Sequence, residues 1–344
     1  MSTNPPKKYD GKDRPQTVVI TGASAGIGRA IAREFARAGA RLGLIARNQE
    51  GLEACRKEVE ALGGEALVLP ADVADFAALD RATSQVEDHF GPVDVWVNNA
   101  MNSVLGLFKD VDMDEFRRVT EVTYLGTVYG TKCALTRMQP RNRGSIVFVG
   151  SALAYRGIPL QTAYCGAKHA IEGFYDSLRA ELVHENSRIQ TSMVQLPGVN
   201  TTQFSLVRNK LDKQPRPMGT IYQPEVAARA VVKASKTNVR EYYVGAPAVQ
   251  TILGNKVFPG LLDYFLGKQA VSGQKTERPA THGQDYLFEP VPGDHGSHGQ
   301  FDEQAKESGI VVSGSTVRAL ASAAVFGTVI AATSLLTNAL SRRN

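Results

Sequence analysis

Cysteine is scarce in this chain of 344 residues: Cys55, Cys133 and Cys165 are the only three, and none stands in a CxxC pair. An odd, unpaired set excludes a disulfide-stapled scaffold and points to reduced thiols in a cytosolic setting. No four His/Cys/acid residues fall at metal-ligand spacing, so no metal site is expected, although His282, His295 and His298 cluster late in the chain. The net charge of +5 is spread among acidic neighbours. Without a concentrated basic stripe, nucleic acid is not an expected partner. Residues 1–16 (MSTNPPKKYDGKDRPQ) lack an apolar run and read as a flexible leader, not as a signal peptide. The chain also shows no internal repeat.

What is present is an alternation. Short β-branched runs (Thr17–Thr21, Leu42–Ala46, Ala66–Leu69, Val93–Val97, Ser145–Val149, Thr191–Gln195, Glu241–Val244) are separated by helix-length stretches. Ile27, Ile31, Phe35 and Ala38 recur at spacings of four and three, one apolar stripe. Strands apolar on both faces alternating with helices predict an α/β fold: a doubly wound parallel sheet of about seven strands, Rossmann-like, over residues 17–266. An acidic Gly/Pro/His-rich arm is expected over 267–314. Between Ala270 and Ile310 three cations face seven anions, and Tyr286, Phe288 and Phe301 are its expected anchors. Residues 315–344 are expected to hold an apolar helix. Its stretch Ala319–Leu340 is uncharged over 22 residues, long enough at 1.5 Å per residue to cross ~30 Å of hydrocarbon. A single membrane anchor, a packing helix and a surface helix compete for that segment. The anchor is preferred, with the rest of the chain at the cytoplasmic face; a cytoplasmic chain without an anchor is the alternative.

The first strand runs into Thr21-Gly-Ala-Ser-Ala-Gly-Ile-Gly28. Glycines between a strand and a helix let the backbone turn tightly and approach a pyrophosphate, with helix N–H groups facing the anion. Gly22, Ser24, Gly26, Ile27 and Gly28 are therefore expected at a dinucleotide, although a plain tight turn would use similar residues. The GxGxxG spacing is absent. The second strand ends Leu44-Ile-Ala-Arg47-Asn48, without the acid that would hold an adenosine ribose. Arg47 suits a 2′-phosphate by its planar donors, so NADP(H) is preferred over NAD(H). Asp72 and Val73 follow the third strand; Asp72 would either accept from an adenine amino group or cap a helix.

Ser151 ends the fifth of these strands, and Tyr164 and Lys168 stand four apart at the start of an apolar-periodic helix. Residues i and i+4 share a helical face. A phenol titrates near ~10 in water, and an adjacent ammonium favours its ionised form. Tyr164 could thus exchange a proton with an alcohol or carbonyl whose oxygen Ser151 holds. Cys165, one step round the helix, reads as a small packed residue.

With TGASAGIG at 21–28, NNA at 98–100, Ser151, YCGAK at 164–168 and PGVNT at 197–201, the chain resembles the short-chain dehydrogenase/reductase family, over about Thr17–Leu266. The resemblance implies a Rossmann sheet and hydride transfer between NAD(P)(H) and an alcohol/carbonyl pair. It implies Ser151, Tyr164 and Lys168 as the catalytic group, with Lys168 also on the nicotinamide ribose. Asn98 would support the central strands or line the adenosine side. Pro197, Val199 and Thr201 would contact the cofactor, Thr201 near the carboxamide and pyrophosphate. The sequence departs from the family at Met101, usually Gly, and at Thr123, usually an Asn that works through its backbone carbonyl and a water. Thr123 is expected to keep that backbone role.

Residues 202–222 read as a substrate lid. Leu153, Tyr155, Ile158 and Pro159 are expected at the pocket mouth, favouring an apolar alcohol or carbonyl substrate. A homo-oligomer is expected. The alternative function is a catalytically idle, membrane-tethered NADP(H)-binding sensor or scaffold; epimerisation through a keto intermediate is less favoured.

Overall fold

The computed structural model describes residues 14–281, 283–320 and 322–323. Its centre is an eight-stranded sheet. The strands are β1 (Thr17–Thr21), β2 (Arg41–Ala46), β3 (Glu65–Pro70), β4 (Val95–Asn98), β5 (Ser145–Ser151), β6 (Gln190–Leu196), β7 (Glu241–Val244) and β8 (Val311–Ser313). They lie in the order β8-β7-β6-β5-β4-β1-β2-β3. The first seven are parallel, and β8 closes the edge antiparallel to β7, with Tyr243 opposite Val312. The strand order reverses between β1 and β4, which places a crevice at the carboxyl ends of the strands.

Successive residues of a strand point to opposite faces, so each strand feeds two cores. Val18, Ile20, Leu42 and Leu44 pack with Ile31, Phe35 and Val231 on one face. Val19, Ile45, Trp96 and Phe148 pack with Val86, Met138 and Tyr175 on the other. The covering helices are α1 (Gly26–Ala36), α2 (Gln49–Ala61), α3 (Phe76–Phe90), α4 (Met113–Val119), α5 (Gly126–Met138), α6 (Thr162–His184), α7 (Gln203–Leu206), α8 (Pro224–Ser235), α9 (Gly245–Val257) and α10 (Pro259–Gly273). Residues 120–125, between α4 and α5, form a π-helical turn.

The boundary placed at Leu266 falls inside α10. The arm packs along the domain. Residues 275–279 pair with 213–215, residues 305–306 add to a small sheet with 221–222 and 198–199, and β8 comes from the arm itself. Composition favours solvent for such a Gly/Pro/acidic stretch, but its backbone groups find partners along the domain, and that pairing overrides local propensity. Among the described residues no helix is long and apolar enough to cross a membrane. Of the expected anchor at 319–340, only 319, 320, 322 and 323 are among the described residues.

Candidate active site

The turn after β1 shows why glycine is required there. Gly22 and Gly26 have φ of +70° and +56°, which side chains rarely adopt. A Cβ on Gly28 would lie 2.1 Å from the Gly22 carbonyl oxygen, so α1 can rise this close to the strand only without one. Ala25 offers α1 no side-chain cap, and the first turn has no acid. No side chain therefore competes with an anion for the N-terminus of α1, although Gly26 N itself donates to Gly296 O at 3.0 Å. This cradle fits a dinucleotide pyrophosphate.

The loop opens onto one continuous cavity of about 530 Å³, within the usual range for ligand sites. Gly22, Ser24, Gly26, Ile27, Arg47, Asp72, Val73, Ser151, Tyr164, Lys168, Pro197, Val199 and Thr201 all line it. Residues as far apart in sequence as Gly22 and Thr201 are thereby gathered at the carboxyl edge of the sheet. Gly28 supports the wall by packing and does not line it.

Asp72 neither caps α3 nor stands free. Its Oδ1 accepts from Ala74 N at 3.0 Å, and Arg118 bonds its other oxygen; Asp75 is the α3 cap. Asn98 takes the strand-supporting role and not the adenosine-lining one. It is buried, accepts from Trp96 Nε1 at 2.8 Å and donates to Thr131 Oγ1 at 3.0 Å. Its inclusion among the cofactor contacts is corrected by this geometry: Asn99 lines the cavity in its place, tied to Thr21 O at 2.9 Å.

Ser151 ends β5 beside Leu196, and its Oγ accepts from Leu153 N at 3.1 Å. Tyr164 and Lys168 rise from the first turns of α6, with Lys168 Nζ 5.6 Å from the Tyr164 ring centre. Lys168 Nζ donates to Val149 O at 2.8 Å, which anchors it to the strand that carries Ser151. Burial dominates the electrostatics. It pushes the Tyr164 hydroxyl well above its ordinary range, while the Ser151 hydroxyl beside it pulls the other way. Burial lowers Lys168 to about 8. In the protein alone, the pair therefore leans to a neutral phenol; the ionisation expected from the ammonium does not outweigh desolvation.

Thr123 sits in the π-helical turn behind the cavity wall. Its Oγ1 donates to Asn102 O and accepts from Asn102 N, both at 3.1 Å, and its carbonyl accepts from Thr127 Oγ1 at 2.9 Å. Asn102 does line the cavity, and its buried Oδ1 has no partner among the described residues. Asn99 and Asn102 were missed although they stand in or next to the NNA motif; the motif itself was the signal.

On the substrate side, Leu153 and Ile158 line the cavity as expected. Tyr155 and Pro159 do not: the Tyr155 hydroxyl bonds Glu172 at 2.8 Å and also Glu241, and Pro159 O accepts from Gln274 at 2.9 Å. Phe204, Leu206, Pro217 and Met218 from the 202–222 segment complete the wall with Leu262, Phe265 and Leu266 from α10. Cys165 is buried, its thiol pushed up to about 11, in keeping with a packing role. Among the described residues no group of three His, Cys, Asp or Glu could hold a metal.

The short chain dehydrogenase family model matches residues 16–212. The chain belongs to the short-chain dehydrogenase/reductase family. It is 34% identical to the uncharacterized oxidoreductase YxnA of Bacillus subtilis (strain 168), over 78% of this chain and 76% of that one. It is 35% identical to 3-dehydrosphinganine reductase of Danio rerio, over 63% of this chain and 67% of that one. It is 38% identical to dehydrogenase/reductase SDR family member 7 of Homo sapiens, over 56% of this chain and 57% of that one. The chain is accordingly an NAD(P)-dependent dehydrogenase/reductase.

Proposed function

We propose that this enzyme reduces an apolar carbonyl with NADP(H), using Tyr164 as the acid and base. The observation that carries this is the single cavity joining the glycine loop to Tyr164 and then to an apolar wall of Leu153, Ile158, Phe204, Leu206, Leu262 and Phe265. When bound, the reduced nicotinamide supplies the hydride. Tyr164 Oη, kept protonated by burial, gives its proton to the carbonyl oxygen, and Ser151 Oγ donates a hydrogen bond to that same oxygen. Lys168, fixed to Val149 O, holds the ribose and favours the phenolate left behind. Asn98 and Thr123 act from behind this group, while Asp72 stands at the cavity wall. Asn98 and Thr123 brace the wall, and Asp72 orients Arg118.

NADP(H) is supported by Arg47 at the end of β2, where no acid stands to meet a ribose hydroxyl. Two of its five donor positions are used by backbone carbonyls of Tyr286 and Phe288, which leaves three on a residue that lines the cavity. The apolar wall and the relative named 3-dehydrosphinganine reductase favour a long-chain ketone. The segment 202–222 acts as the lid over it. The test is NADPH oxidation with a panel running from short polar aldehydes to 3-dehydrosphinganine and other long-chain ketones. Turnover should rise with chain length; equal or greater turnover of the short polar members contradicts the substrate class.

A further inference from the structure

The acidic arm crosses the mouth of the cavity, and its ties follow the line of the dinucleotide site. Arg47, at the end of β2, donates to the carbonyls of Tyr286 and Phe288. Asn48, which caps α2, also donates to Val291 O at 2.7 Å and Gly293 O at 2.9 Å. Asp294 pairs with the buried Arg29 of α1. Gly26 N, in the glycine loop itself, donates to Gly296 O at 3.0 Å. Beyond the loop, Phe301 N donates to Asn200 Oδ1 at 3.0 Å, and a Cβ on Gly299 would lie 2.4 Å from Thr201 O. The segment thus runs from Arg47, past the phosphate cradle, to the turn expected beside the nicotinamide.

We propose that residues 285–302 form a clamp that completes the dinucleotide site, with Tyr286, Val291 and His295 as its cofactor-facing contacts. The inference rests on reading the cleft as the dinucleotide site. Charge placement separates a clamp from a plug. An acidic plug would set carboxylates where phosphates go. Of the four carboxylates in this stretch, Asp285 pairs with Arg208, Asp294 with Arg29, and Asp302 with Asn200 and His298, while Glu289 acts on Arg47 by charge from outside the cavity lining. The arm residues that line the cavity are Tyr286, Pro290, Val291 and His295, with no carboxylate among them. The Tyr286 hydroxyl is shut off from solvent and has no partner among the described residues. A buried donor left unpaired is costly, and a dinucleotide oxygen would satisfy it. Leu287, fully buried against Val104, Val119 and Ala163, pins one end of the clamp beside Tyr286.

A clamp held this way must part its ties before the cofactor leaves, so it sets the release rate. Asp294→Ala removes one tie while Arg29 keeps Glu58 at 2.8 Å, so no buried charge is stranded. NADPH release, followed by stopped-flow fluorescence during a chase with excess NADP+, should quicken about tenfold or more in this variant. Rates within twofold of the unmodified enzyme overturn the clamp. Hydrogen exchange of the unmodified enzyme is the second measurement: amides in 285–302 should slow when NADPH is added, and unchanged exchange overturns the clamp. Tighter NADPH binding in Asp294→Ala would mark the arm as an obstruction and also overturn it. If the unmodified enzyme binds neither NADPH nor NADH, the reading of the cleft itself falls, a result separate from normal binding with unaltered release.

Discussion

The floor of the cleft and its roof hold their residues in different ways. On the floor, Gly22–Gly28, Ser151, Tyr164, Lys168 and Pro197–Thr201 sit at strand ends and first helical turns, where the residue type itself does the work. Only glycine fits at 28, and only a phenol four residues before an amine gives the Tyr164–Lys168 pair. The roof works mostly through main-chain carbonyls, those of Tyr286, Phe288, Val291, Gly293 and Gly296, which receive side chains and one N–H from the floor. Almost any residue can offer a carbonyl. A part of the site made of side chains therefore leaves a pattern in sequence, whereas a part made of backbone leaves little.

That contrast can be broken or sharpened by measurement. The largest effect is expected at Leu287. It is fully buried, and Leu287→Ala should cost about 2–5 kcal/mol in chemical denaturation if the arm belongs to the cooperative fold. Phe288→Ala, on a 41% exposed side chain, should stay within about 0.5 kcal/mol. Equal small losses at both positions would return the arm to the status of an appendage. Arg47 is where floor and roof meet. Arg47→Ala should weaken NADPH by roughly ten- to a hundredfold, the worth of a charged hydrogen bond, and NADH much less. Equal losses for both would remove the NADP(H) assignment. A smaller effect belongs to the floor alone. Lys168 has its pKa lowered to about 8, so it is charged below that pH and neutral above it. The value of kcat/KM for NADPH should therefore hold through neutral pH and fall above about pH 8. A profile flat to pH 10 would show that the ammonium is not needed.

The sheet was legible because its strands are apolar on both faces and its helices carry a single stripe, and residues of TGASAGIG, Ser151 and residues of YCGAK line one cavity. The failures have physical causes. Asn98 and Asn99 are adjacent and chemically identical; which one faces the cavity depends on strand register, with Asn98 bonded to Trp96 and Asn99 turned to Thr21. Tyr155 has the apolar body of a pocket residue but is drawn away by two carboxylates, Glu172 and Glu241. Phe288 was expected as an anchor on size, yet its neighbour Leu287 is the side chain that buries; Phe288 lies under Arg208, with its guanidinium 5.1 Å from the ring centre. The break at Leu266 was placed where the family pattern stops, but the edge strand β8 is drawn from residues 311–313, far beyond it.

The central claim is that Tyr164 moves the proton in a site that binds the cofactor without it. The most direct measurement compares Tyr164→Phe with the unmodified enzyme in two assays on one preparation, NADPH titration by fluorescence and NADPH oxidation with the best ketone of the panel. The account predicts unchanged NADPH affinity and a fall in kcat of about 10²–10⁴-fold. Turnover within a few fold of the unmodified enzyme, with the cofactor still bound, would contradict it.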